Sequence, residues 1–138
     1  RLAEEIARSV RAHDFAEYSF VFGTDYATLR RIKRLLPKVH LGLIVPFVPV
    51  DPVRLMEEME AEIYLCYIDN LCPQLVAQLH RAGYLVDGSV INSEGRLRQA
   101  LALGVDLIES DHPEEILPLC RQTGKKGGPA ARGVRFLV

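Results

Sequence analysis

The sequence predicts an α/β domain built on a parallel sheet, and three observations support this prediction. Helix-like and strand-like patterns alternate along the chain, the centres of five strand-like segments recur about every 20 residues, and those segments are largely apolar. Strands of parallel sheets are apolar because helices cover their faces. The 138 residues, with 49% hydrophobic and 25% charged side chains, suit one globular domain.

The first half of the chain alternates three helix patterns with three strand patterns. A helix opens the chain, and a second helix begins near Asp25 and stops at Pro37, since proline cannot continue a helix. Asp51 and Pro52 are an N-cap residue and a proline at the first helical position, so they start a third helix. The strands predicted for this half span residues 18–22, 41–45 and 63–67.

The second half repeats the alternation with clear start and stop signals. Pro73 opens a helix, and Gly83 follows it where a left-handed C-terminal cap favours glycine. Ser93 caps the next helix, Gly104 ends it, and Pro113 begins the last one. The strands predicted for this half span residues 85–91 and 105–109.

Two architectures fit this alternation. The five units match the last five βα units of an eight-stranded (β/α)8 TIM barrel, and they also match a complete five-stranded open doubly wound sheet. A receiver-like sheet needs an acidic cluster after its first strand, where this chain has no acidic cluster, and only Asp69 follows the third. A flavodoxin-like sheet needs a glycine-rich or hydroxyl-rich phosphate loop, where Gly23 and Thr24 alone stand.

Charge and cysteine content narrow the class of protein. The net charge is −1 at pH 7, so we expect no nucleic-acid partner, and no apolar run approaches the roughly 18 residues of a membrane span. The three cysteines lack a Cys-x-x-Cys spacing, which favours reduced thiols and a cytoplasmic setting. Residues 1–121 are predicted to form the barrel-like domain, and residues 122–138 a basic tail containing Gly and Pro.

The order of several motifs resembles the carboxyl-terminal half of the glycerophosphodiester phosphodiesterase family, whose fold is a (β/α)8 barrel. The resemblance covers Arg1 to Leu119 and rests on five segments. In chain order these are a Ser-Phe strand end, a Leu-Gly-Leu strand, LCPQLVAQLHRAG, VDGSVIN in place of a strand ending Trp-Thr-Val-Asn, and LGVDLIESDHP. The first is Ser19-Phe20, and the others start at Leu41, Leu71, Val86 and Leu103.

The resemblance implies a metal-dependent phosphoric diester hydrolase that cleaves glycerophosphodiesters to glycerol 3-phosphate and an alcohol, with Ca or Mg as cofactor. The family's metal and acid–base residues lie in amino-terminal motifs, His-Arg-Gly on the first strand and Glu-x-Asp on the next. This chain has no His-Arg-Gly, and its Glu109 and Asp111 follow the last strand, where the family does not place its metal. We therefore expect no catalytic residue, no metal ligand and no cofactor in this chain alone, and we expect activity only from a complete barrel. The alternative is a non-catalytic binding or assembly module derived from the barrel.

The resemblance also implies substrate-binding positions in this half. Phe20 corresponds to the family's strand-end aromatic, Asn92 follows a strand where an amide can bind a glycerol hydroxyl, and Ser89 stands where the family has tryptophan. Asn92 also suits a purely structural role in turning the chain into the next helix.

Because an open half barrel exposes two strand edges, we expect self-association or pairing with a missing barrel half.

Overall fold

Residues 1–124 are described by a computed structural model, in which five strands form one sheet and alternate with helices. The order of the strands in the sheet follows their order in the chain, and the pairs at both ends of the sheet are parallel. The predicted parallel strand–helix alternation is therefore confirmed. The strands are Phe20–Gly23 (β1), His40–Ile44 (β2), Ile63–Tyr67 (β3), Leu85–Ser89 (β4) and Leu107–Ile108 (β5).

Six α-helices lie between and around these strands in the described part of the chain. They are Leu2–Ala12 (α1), Tyr26–Leu35 (α2), Pro52–Met59 (α3), Pro73–Arg81 (α4), Glu94–Leu103 (α5) and Pro113–Gly124 (α6). The last helix includes the first three residues assigned to the tail, and the rest of the predicted tail, residues 125–138, lies outside the described residues. Within residues 1–124, no helix combines the length and apolarity needed to cross a membrane.

The chain divides into two compact units, residues 1–64 and the residues from 65 onward, with the boundary inside β3. In the first unit, local caps start the helices as the sequence predicts. The Asp25 carboxylate accepts the Thr28 N–H at 3.1 Å to start α2, and Asp51 caps α3 in the same way. The core of this unit lies between α2 and the strands, where Ile32 and Leu41 are fully buried.

In the second unit, too, the helices begin and end at the residues that the sequence predicts. Ser93 Oγ accepts the Arg96 N–H at 3.3 Å, which starts α5, and Gly104 ends that helix with φ +73°. Gly83, with φ +90°, follows α4 as expected. β4 and β5 are shorter than predicted, because beyond Ser89 the backbone leaves the regular ladder.

His80 and Asp106 hold the amino ends of β4 and β5 together. The Asp106 carboxylate accepts the Val86 N–H at 2.9 Å and lies 2.7 Å from His80 Nε2. One side chain thus satisfies a backbone donor and ties helix α4 to both strands. His80, near the end of α4, therefore has a structural role.

Candidate functional site

Phe20 does not lie where the sequence predicts it. Residues 16–18 form a 3-10 turn, so β1 begins at Phe20 and this residue stands at the amino end of the strand. Its ring stacks on His40, the first residue of β2, with ring centroids 4.8 Å apart. Ser19 therefore precedes β1 and Phe20 begins it, so the expectation that these two residues end a strand is wrong.

His40 belongs to a polar cluster at the same amino ends. Its Nδ1 lies 2.6 Å from the Glu62 carboxylate, and its Nε2 lies 3.1 Å from the Glu17 carbonyl oxygen. Both ring nitrogens are thereby engaged, and Lys38 pairs with the Glu17 side chain beside them. The arrangement is a structural network that links the amino ends of β1 and β2.

Phe22 is the aromatic side chain on the same face of β1 and nearer its carboxyl end. It pairs in register with Gly42 of β2. A Cβ added to Gly42 would stand 2.1 Å from Phe22 Cε1, so the ring occupies the space that the glycine leaves open. Sequence reasoning missed Phe22, although the glycine between two leucines in β2 signals a close approach at that point.

Ser89 and Asn92 lie at the carboxyl end of β4, as predicted. Ser89 is the last residue of the strand and is only 4% exposed. Three residues later, the Asn92 amide oxygen accepts the Asp111 N–H at 2.9 Å and the Ser110 hydroxyl at 3.1 Å. The Asn92 amide N–H₂ also donates to the Asp111 carboxylate at 2.8 Å.

These bonds explain why the fifth strand ends in Glu-Ser-Asp-His-Pro. Ser110 and Asp111 hold the Asn92 amide, and Ser110 Oγ accepts the His112 N–H at 3.0 Å as α6 begins. A primary amide has two N–H donors and one oxygen with two lone pairs. Asn92 has used both lone pairs and one donor, so a single N–H remains for a ligand.

Asp69 and Arg96 form an ion pair after β3. Asp69 lies in the 3-10 turn Ile68–Asn70, and the guanidinium of Arg96, in the first turn of α5, contacts both of its carboxylate oxygens, one of them at 2.8 Å. The hydrogen bond from Arg96 lowers the pKa of the Asp69 carboxyl. Arg96 is thereby occupied by a protein carboxylate and is not an open anion site.

Asp87 is a buried acid that sequence reasoning missed. It lies in the middle of β4, is 3% exposed, and its Oδ1 atom has no hydrogen-bond partner among the described residues. Burial, followed by the charge of Glu109, raises the pKa of Asp87 to about 7. Burial and the charge of Asp111 likewise raise the pKa of Glu109. The clue in the sequence is an acid among the apolar residues of a strand.

The described residues do not form a site for Ca or Mg. No group of three or more His, Cys, Asp or Glu side chains in residues 1–124 is placed to hold a metal ion. The carboxyl end of β4 and the residues after it carry the Ser89 hydroxyl and the remaining N–H of the Asn92 amide. Both groups can form hydrogen bonds to a polyol.

Comparison with known proteins agrees with this architecture. No protein-family model matches the chain. A glycerophosphodiester phosphodiesterase from Caldanaerobacter subterraneus subsp. tengcongensis is 24% identical over 123 residues, which are 89% of this chain and 51% of that protein. The chain thus spans about half the length of this curated relative.

Solved structures of phosphodiesterases also superpose on most of this chain and on less than half of their own. A crystal structure from Silicibacter pomeroyi, assigned as a glycerophosphoryl diester phosphodiesterase, superposes with a TM-score of 0.81 at 18% identity and covers 88% of this chain and 44% of its own. An Oleispira antarctica phosphodiesterase in complex with the product sn-glycerol-3-phosphate superposes with a TM-score of 0.71 at 24% identity, covering 74% of this chain and 41% of its own.

These matches settle the fold between the two architectures that the sequence left open. The chain is a parallel α/β domain that corresponds to part of a TIM barrel. Within that class the chain is similar in sequence to a glycerophosphodiester phosphodiesterase, about half of whose length it spans.

Proposed function

We propose that this chain forms the carboxyl-terminal part of a glycerophosphodiester phosphodiesterase, which hydrolyses a glycerophosphodiester to glycerol 3-phosphate and an alcohol. The observation that carries the proposal is the match, along 89% of the chain, to a protein of that name. Because residues 1–124 hold no group of three or more metal-ligating side chains, other polypeptide would supply the ligands of Ca or Mg and the acid–base groups of the reaction.

In this proposal the chain contributes walls of the substrate pocket. Ser89 and the remaining N–H of Asn92 lie at a strand's carboxyl end, where barrel enzymes bind their ligands, and each can hydrogen-bond a glycerol or phosphate oxygen. Phe20 has no such support, because it lies at the amino end of β1. Phe22 replaces it as the aromatic candidate of this strand.

The test is to read the coding sequence upstream of Arg1 and to express the whole reading frame. We expect His-Arg-Gly and Glu-x-Asp motifs upstream, and metal-dependent release of glycerol 3-phosphate that a chelator abolishes. The 138-residue chain alone should release none with either metal. A whole product that is inactive with Ca and with Mg contradicts the hydrolase, and activity of the chain alone contradicts its catalytic incompleteness.

One observation favours a second candidate, a non-catalytic binding or assembly module. Ser89 stands where the family resemblance expects tryptophan, so this chain lacks that aromatic wall. The same expressed product separates the two functions by calorimetric titration with sn-glycerol 3-phosphate. Binding without turnover of any glycerophosphodiester supports the module, whereas turnover supports the enzyme.

A further inference from the structure

The acidic pair Asp87 and Glu109 is the feature that the proposed function leaves without a role. The register pairs Asp87 with Leu107 in parallel strands, so these two side chains project from the same face of the sheet. Glu109 lies one residue beyond β5, where its backbone N–H donates to the Gly88 carbonyl at 3.3 Å, and its charge contributes to the raised pKa of Asp87. The opposite face holds Gly88, whose missing Cβ lies 3.2 Å from Ile68 and 3.5 Å from Val105.

This pair lacks a counter-charge within the described chain. No ion pair of residues 1–124 includes either carboxyl, and Asp87 Oδ1 accepts no hydrogen bond there. The other acids nearby are already bonded: Asp106 to the Val86 N–H and His80, and Asp111 to Asn92. A buried carboxyl without a partner costs several kcal/mol if it is charged, so this face is incomplete as it stands.

We propose that Asp87 and Glu109 form the receiving site for a positively charged side chain, Lys or Arg, from the polypeptide that completes the barrel. The partner's chemistry follows from charge complementarity, since closing the sheet would bury Glu109 as well as Asp87. A metal ion is the less suitable occupant, because the described residues place no third acidic, His or Cys ligand beside the pair. This inference rests on the proposed function for the identity of the partner.

The decisive experiment supplies the cation within the chain itself. Leu107 is the register neighbour of Asp87 on the same face, so Leu107→Lys places an ammonium beside the two carboxyls. We compare its effect on urea unfolding in the natural sequence and in the Asp87→Asn/Glu109→Gln background, with Leu107→Met as the uncharged control. Leu107→Lys should raise the unfolding constant at least tenfold more in the Asp87→Asn/Glu109→Gln background than in the natural sequence, where the two carboxyls can pair with the ammonium.

Equal effects of Leu107→Lys in the two backgrounds, or loss of folding in both, would overturn the proposal. Stabilisation of the natural chain by Ca²⁺ or Mg²⁺ that Asp87→Asn abolishes would also overturn it, in favour of a metal site.

A second measurement needs no cation variant. The pKa of Asp87 is raised on folding, so the native state binds a proton that the unfolded state releases, and stability falls as pH rises towards the folded pKa. With that pKa at about 7, the unfolding constant should rise about tenfold from pH 6 to pH 8. Asp87→Asn should remove this rise, and an unchanged pH dependence contradicts an unpartnered acid.

Both measurements use only this chain, so their outcomes do not depend on whether the hydrolase is active. If no barrel half is found upstream, the proposed function is contradicted, but the effect of a cation beside Asp87 and Glu109 can still be measured.

Discussion

Asp25 and Asp87 carry the same side chain in opposite environments. Asp25 accepts the hydroxyl and the backbone N–H of Thr28, and these bonds lower the pKa of its carboxyl. Asp87 is buried without a partner for one oxygen, and its pKa rises to about 7. Hydrogen-bond donors therefore stabilise the charged form of Asp25, which caps a helix, whereas burial disfavours the charged form of Asp87, for which we propose a cationic partner.

Asp106 shows what a satisfied carboxylate contributes. Asp106→Ala would leave the N–H of Val86 without an acceptor at a fully buried residue, so we expect a loss of about 2 kcal/mol in the free energy of unfolding. Asp106→Asn retains an acceptor oxygen for that N–H and should lose less. Urea unfolding of the two variants measures the difference, and equal losses would show that the backbone bond is not the source.

Asn92 should have a smaller structural effect because its network is exposed. Asn92→Ala removes three hydrogen bonds to Ser110 and Asp111, and we expect a loss of about 1 kcal/mol. Gln74→Ala, an exposed amide on α4, is the matched control and should stay within about 0.5 kcal/mol. Equal stability of the two variants in thermal unfolding would mean that the loops after β4 and β5 are held by other contacts.

The position of a candidate residue was predictable from sequence only where local rules apply. Asn92 and Ser89 lie near a strand end that the Ser93 cap marks, and their role in binding stays a prediction. Asp87 was missed because its burial depends on a neighbouring strand 20 residues away in the chain. Phe20 was misplaced because a 3-10 turn, which periodicity does not reveal, delays the start of β1.

At the level of elements, helix boundaries followed from the sequence better than strand boundaries did. Asp25, Asp51 and Ser93 each cap a helix through a bond to a residue three positions away, which makes the signal local. A strand ends where its partner's hydrogen bonds end, and that partner lies a helix away in the chain. Five residues were predicted for β5, but only Leu107–Ile108 are regular, because Glu109 bonds the Gly88 carbonyl and the Ile91 N–H, which are too far apart along the chain for a regular ladder.

The contact of β1 with β2 depends on a glycine that makes room for a ring. Gly42→Ala would place its Cβ 2.1 Å from Phe22 Cε1, and we expect a loss of about 2 kcal/mol or more. Gly95→Ala is the matched control, because the nearest atom to its Cβ is 4.0 Å away, and it should be neutral or stabilising by up to about 1 kcal/mol.

Phe22→Ala tests the cause of that loss. In the Phe22→Ala background, Gly42→Ala should cost much less, since the clashing ring is gone. Chemical denaturation of the four variants gives the coupling free energy. A coupling near zero would mean that the backbone freedom of Gly42, and not the ring, is what the position requires.

At the level of the whole molecule, the unpaired edges of the sheet are the main consequence of spanning about half of a barrel. β1 and β5 are the terminal strands of the sheet, and no other strand of the described residues pairs with their outer sides. Unpaired strand edges attract further strands, and a closed barrel avoids them. The two ends differ, because β5 has only two residues while β1 has four.

Exposed aromatic side chains lie just before the edge strand β1. Phe15 is 54% and Tyr18 is 71% exposed, with ring centroids 5.6 Å apart, and they lead into Phe20 at the start of the strand. An apolar cluster beside an unpaired edge is the surface that a second copy or a barrel half would cover. We therefore expect the purified chain to associate in a concentration-dependent manner, with β1 as the contact.

Sedimentation velocity on two double variants tests this expectation. Phe15→Ser/Tyr18→Ser removes the aromatic cluster beside β1 and should weaken association at least tenfold. Phe47→Ser/Val50→Ser removes apolar side chains that are more exposed but lie in the loop after β2, an inner strand of the sheet, and should leave association unchanged. If the natural chain is a monodisperse monomer that unfolds cooperatively, its edges need no cover, and the half-barrel argument for association fails.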